Sequence, residues 1–125
     1  MASPADRVYS SSHEWHKVEG QTLTLGLTRF AVDQLTDVTY VEVKRPGFKF
    51  KAGEIVGEVE SVKTTSDVYC ACEGEVSEVN QAVVDDPSLL NSDPFGKGWL
   101  VKVRIIALGQ LGECIDAATY DRQHA

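Results

Sequence analysis

A mainly β fold, built as a sandwich or barrel of short antiparallel strands with a few small helices, is what this sequence predicts. Apolar residues alternate at period two along most of the 125 positions, and turn residues recur between the alternating runs roughly every 8–12 positions. Only two stretches change to a helical period. A hydrophobic content of 42% supplies one ordinary core. The expectation is therefore a single domain over 1–125, with its core at about 7–106 and a C-terminal helix at about 108–121.

"HEWHKVEG" and "QTLTLGLT" both alternate, the second through Leu23, Leu25 and Leu27, and Gly20 separates them. Successive strand side chains face opposite sides, so the pair reads as an antiparallel hairpin. In "TRFAVDQL" the period shifts: Leu27, Ala31 and Leu35 recur four apart with Phe30 beside them, and Thr28 stands where a hydroxyl caps a helix start. "VTYVEV" returns to strand, and "KRPGFKFKAG" is a turn-rich connection around Pro46, Gly47 and Gly53. "EIVGEVESV" and "SDVYCACEGEVSEVN" are β runs on either side of Lys63. "DDPSLLNSDPFGKG" reads as loop and "WLVKVRII" as a last strand. Leu108, Leu111, Ile115 and Ala118 form the stripe that predicts the terminal helix.

A net charge of -7 and a pI near 4.8 speak against nucleic acid, whose phosphates are bound by clustered Lys and Arg. Basic protein partners suit such a surface better. No apolar run approaches the ~18 residues of a membrane span, and "MASPADRVYS" has no apolar signal core. A soluble, intracellular protein is expected. Three cysteines are an odd number for a disulfide framework. Cys70 and Cys72, at strand spacing, are expected to share one face as small core residues. Hydrolase, nucleotide and metalloprotease signatures are absent. His13 and His16 fall on opposite strand faces, which argues against a shared metal, and His124 lies in a tail expected to fray.

Lys63 stands alone between two β runs. Gly53-Glu54 begins ten residues before it and Gly74-Glu75 eleven residues after it. A pair of Gly-Glu turns placed so evenly suggests two similar half-motifs joined by a hairpin, with Lys63 at the tip. An exposed amine on a stiff turn, flanked by the modest side chains of Val62 and Thr64, is an attachment point for a prosthetic group.

"SHEW" (12–15), "GLTRFAVDQL", "VTYVEV", "GEVESVKTTSDVY", "GEVSEVN" and "NSDPFGKGWLVKV" occur in the order and spacing of the glycine cleavage system H protein family, which the chain resembles over about 7–122. The resemblance implies a barrel-sandwich hybrid, the hammerhead of lipoyl and biotinyl carriers, with short peripheral helices. Lys63 would carry lipoate in amide linkage. The chain would then be a non-catalytic carrier that takes the aminomethyl group of glycine from a pyridoxal phosphate-dependent glycine decarboxylase to a tetrahydrofolate-dependent aminomethyltransferase. Dihydrolipoamide dehydrogenase would reoxidise it. An alternative within the same class is a relay that donates lipoyl groups to 2-oxoacid dehydrogenase subunits, and an unmodified β-rich interaction module is the reading from outside it.

The resemblance also implies roles for the neighbours. A lipoyl-lysine arm reaches on the order of 14 Å. When loaded it would rest in a cleft where Glu14 accepts its protonated amine, with Ser12 and Asp67 in support, sheltered from water. Glu60 and Gly74 would be read by the lipoate-attaching enzyme, Gly74 by fixing a turn where no side chain fits. Val62 and Thr64, where biotinyl hairpins carry Met, argue against biotin. Thr36 stands where the family has Gly after its helix, and Ala71 where it commonly has Pro. A carrier that docks on several enzymes is expected to be a monomer.

Overall fold

The computed structural model describes residues 3–124. Its strands are β1 (Val8–Tyr9), β2 (Glu14–Glu19), β3 (Thr22–Leu27), β4 (Val38–Val43), β5 (Lys49–Phe50), β6 (Ile55–Ser61), β7 (Thr65–Tyr69), β8 (Glu73–Val79) and β9 (Val101–Ala107). Its helices are α1 (Arg29–Leu35), α2 (Gln81–Asp85), α3 (Ser88–Ser92) and α4 (Ala117–Gln123). One antiparallel sheet has the order β1-β2-β3-β9-β8-β5, the other β4-β6-β7. This is the mainly β, two-sheet arrangement with small helices that a barrel-sandwich hybrid requires.

The alternation explains the sandwich. Leu23 and Leu25 lie opposite Val103 and Val101 in the large sheet, and all four are fully buried. They face Val41, Val56, Val59 and Val68 of the small sheet in one cluster. Those strands thus put branched side chains between the layers and polar ones outward, whereas β2 buries Glu14 and His16. The β2–β3 hairpin turns at Gly20, whose φ is 65°. Thr28 caps α1 by accepting from the Ala31 N–H at 3.2 Å.

Several elements differ from the sequence reading. The buried face of α1 is Val32 and Leu35, with Ala31 only half covered. The expected connection around Pro46 contains β5, a two-residue strand that closes the large sheet. The run "SDVYCACEGEVSEVN" is broken at 70–72: β7 belongs to the small sheet and β8 to the large one. The expected loop after Asp85 holds α3, and α2 precedes it. The terminal helix begins at Ala117, not near 108. A 3-10 turn at Leu111–Glu113 comes first, and Leu108 and Ala118 of the expected stripe are exposed. The helix is anchored instead by Ala117 and Tyr120, which join Tyr9 and Trp15 in a second, aromatic cluster. Asp116 caps it, accepting from the Thr119 N–H at 2.8 Å.

Candidate functional site

Lys63 lies in the turn between β6 and β7, exposed, and makes no ion pair among the described residues. Ser61 builds that turn. Its Oγ accepts from the N–H groups of Lys63 (3.2 Å) and Thr64 (3.0 Å) and donates to the Thr64 carbonyl at 3.0 Å. The Ser61 N–H also reaches the Thr64 carbonyl, at 2.8 Å, and the Val62 N–H donates to the Asp37 carbonyl at 3.1 Å. One small hydroxyl therefore satisfies the turn's own backbone, and a bond to the α1–β4 connection braces the tip from outside. Ser61 carries no role in the sequence reading, although a Ser two positions before an exposed turn residue is the signal for such a turn.

Glu14, the first residue of β2, is a buried acid, 1% exposed. Its Oε1 accepts from the hydroxyls of Ser10 (2.6 Å) and Ser12 (2.5 Å), and its Oε2 from the Tyr69 N–H at 3.1 Å. Burial pushes its carboxyl above the ordinary range, and these three donors oppose that shift. Ser12 and Glu14 are thus brought together as expected, with Ser10 as a third member that the sequence reading missed. Asp67 stands apart from them. It pairs in register with Glu58, on the outer face of the small sheet, beside a groove lined by Tyr40, Glu42 and Lys44. Asp67 is the third residue of β7, and Glu14 meets the same strand two residues further on, at the Tyr69 N–H.

Glu60 lies on that outer face as well, opposite Tyr40 and Thr65, and its carboxylate has no hydrogen-bond partner among the described residues. Gly74 sits inside β8, paired with Phe50 and Ile105, so it fixes no turn. The expectation that no side chain fits there holds for a different reason. A Cβ at Gly74 would stand 2.5 Å from Val103 Cγ1 and 2.6 Å from the Arg104 carbonyl oxygen, at the crossing of three strands. Cys70 and Cys72 are buried with their sulfurs 3.6 Å apart. They share a face through the bend between the sheets rather than along a strand. Their mutual hydrogen bond and burial hold the Cys70 thiol well above its usual range. Among the described residues no group of three His, Cys, Asp or Glu side chains is placed to hold a metal, and no helix is long and apolar enough to cross a membrane.

The turn that carries Ser12 and Glu14 is held from behind. His13 has a φ of 71°, its carbonyl accepts from the Thr28 N–H at 3.0 Å, and its Nδ1 lies 2.8 Å from the Tyr120 hydroxyl. That hydroxyl is also 2.7 Å from Thr28 Oγ1. His124 does not fray: its ring centroid is 4.8 Å from that of His13 and 4.5 Å from that of Tyr120.

Comparison with known proteins gives a consistent result. Residues 7–124 match the family model described as Glycine cleavage H-protein. The glycine cleavage system H protein of Symbiobacterium thermophilum is 48% identical over 118 residues, covering 94% of this chain and 92% of its own. That of Thermus thermophilus is 45% identical over 120 residues, covering 96% and 94%. A crystal structure of a glycine cleavage system H protein from Mycobacterium marinum superposes with a TM-score of 0.90 at 39% identity, covering 98% of each chain.

Proposed function

The chain belongs to the glycine cleavage H-protein family, and from that membership we propose that it is a lipoyl carrier, modified on Lys63, that catalyses no step itself. The observation that carries this reading is the tip of the β6–β7 hairpin: an exposed amine, with no ion-pair partner among the described residues, on a turn whose backbone is satisfied by Ser61. Such a residue is open to a modifying enzyme, and the stiff turn aims whatever it carries.

Lipoate in amide linkage supplies a disulfide that accepts electrons together with an aminomethyl group, and releases both elsewhere. The chain takes that group from a pyridoxal phosphate-dependent glycine decarboxylase to a tetrahydrofolate-dependent aminomethyltransferase, and dihydrolipoamide dehydrogenase restores the disulfide. Its own residues position and shelter. Glu60, without a side-chain partner among the described residues and three positions before Lys63, is the handle for the lipoate-attaching enzyme. Gly74 lets β5, β8 and β9 close beneath the hairpin's sheet. Asp67 is the acid of β7 itself, on the face of the small sheet beside the strand along which an arm would fold back. Glu14, farther along with Ser12, is a carboxylate already dehydrated and aimed, suited to a protonated amine. The whole chain works as one domain and a monomer, in the bacterial cytoplasm.

The test is intact mass after co-expression with a lipoate-attaching enzyme. The parent chain is expected to gain one lipoyl group, Lys63→Ala none, and Glu60→Ala to be modified more slowly with an unchanged circular dichroism spectrum. Modification of Lys63→Ala, or an unmodified parent, defeats the assignment.

A further inference from the structure

We infer that Tyr120 of the C-terminal helix is a positioning residue for the Ser10–Glu14 turn, holding His13 in a left-handed backbone conformation so that the turn stays closed over Glu14. This deepens the proposed function, since it rests on Glu14 serving the carrier's arm.

A non-glycine residue at φ 71° carries a local cost, and persists where its surroundings over-determine it. His13 has two such ties, and they converge. Its carbonyl is bound by the Thr28 N–H, and its ring meets the Tyr120 hydroxyl that also meets Thr28 Oγ1. Thr28 Oγ1 is itself fixed as the α1 cap, accepting from Ala31. Burial and then the neighbouring His124 hold His13 below its usual protonation range. With the ring neutral, the order in which both hydroxyls donate runs from the Ala31 N–H to Thr28, from the Thr28 hydroxyl to Tyr120, and from the Tyr120 hydroxyl to His13 Nδ1. Each oxygen in the chain then both gives and receives.

The consequence falls on either side of His13. Ser10 bonds the Glu14 side chain, N–H and carbonyl, and Ser12 bonds its Oε1. All of these cross His13, so the turn that buries Glu14 keeps its shape only while His13 keeps its φ. Tyr120 reaches this place because its ring stacks on Tyr9, with centroids 4.9 Å apart, and because the Tyr9 N–H and carbonyl pair with Ile115 just before α4.

Tyr120→Phe keeps the ring stack and removes the hydroxyl. In the unmodified protein, Glu14 is followed by carboxyl NMR titration and Thr28 by amide exchange. The midpoint of Glu14 is expected to fall toward the ordinary carboxylate range as water enters, and the Thr28 amide to exchange about fivefold faster, the effect of one hydrogen bond. The same substitution in a His13→Asn background is expected to do much less, because that background has already lost the ring that the Tyr120 hydroxyl holds. An unmoved Glu14 midpoint in folded Tyr120→Phe overturns the inference, as does a full-sized shift in the Asn background. Loss of the aminomethyl group from loaded Tyr120→Phe is expected to quicken several-fold. If the midpoint moves while that rate does not, the role of Tyr120 stands and the proposed role of Glu14 falls.

Discussion

His16 shows how one buried side chain sets a pH limit on the fold. It is fully buried in β2, its Nε2 accepts from the Ala71 N–H at 3.1 Å, and its Nδ1 has no partner among the described residues. Burial lowers its pKa from 6.5 to about 4. The unfolded chain then binds a proton that the folded one refuses. This contribution is therefore complete above about pH 6.5 and is lost as pH falls toward 4, amounting to about 3 kcal/mol. Glu14, shifted upward, contributes the opposite slope, so the parent profile alone does not isolate His16. Comparing thermal melts of parent and His16→Gln between pH 4 and 7 does: the variant should be flatter, and an equally steep profile would remove His16 as the cause. Single side chains were also where the sequence spoke most clearly about the site. That Lys63 stands at an exposed hairpin tip and that Ser12 meets Glu14 was legible because their type and order carried the family resemblance. Ser10 and Ser61 were not, because a serine's role in a turn depends on which backbone N–H groups the fold turns toward it.

Helix α1 ends on a strained residue. Thr36 adopts φ 63° and ψ -139° as its C-cap, a region that a β-branched side chain enters only at a cost. Its N–H still reaches the Val32 carbonyl at 3.0 Å, and its own carbonyl accepts from Asn91 Nδ2 at 2.6 Å. Both bonds belong to the backbone of residue 36, so they survive its replacement. Thr36→Gly is expected to stabilise the protein by about 1 kcal/mol, the relieved strain less the extra freedom of glycine when unfolded. By calorimetry that is a rise in Tm of about 4 °C, and a fall in Tm would mean that the side chain earns its place. Strands with clean alternation were legible as elements, and the Thr28 cap was legible because its hydroxyl acts within its own helix. Helix α4 was misplaced for a physical reason. The stripe through Leu108 and Leu111 matches helical spacing, but the anchor is aromatic stacking of Tyr120 on Tyr9, a contact 111 positions apart in sequence. Elements as short as β5 and α3 have too few residues to show any period.

At the scale of the molecule, the two sheets are stitched by a chain that crosses at 70–72. Which strand joins which sheet was not legible, since alternation reports that a face is buried and not what buries it. Stability should be correspondingly uneven. β9 is paired on both sides, with Leu25 and Val79 flanking Val101, and its inward residues are fully buried. The Lys63 turn has exposed residues at 62–65. Native-state hydrogen exchange should therefore find the Val101 and Val103 amides opening only with global unfolding, and Lys63 among the fastest. Slow exchange at Lys63 would mean that the Ser61 Oγ bond to its N–H closes the turn far more firmly than its exposure implies.

The described ends of the chain meet. Ser3 bonds the Asp121 carboxylate through both its N–H (2.9 Å) and its hydroxyl (2.7 Å), and the Tyr9 hydroxyl donates to the Pro4 carbonyl. A short flexible linker would thus suffice to join them, making the protein a candidate for circular permutation with new ends opened in a surface loop. The same proximity carries a practical warning. A fusion joined directly before Ser3 or after His124 would begin beside the helix that carries Tyr120, so its placement itself becomes a variable in any study of how firmly Glu14 is enclosed.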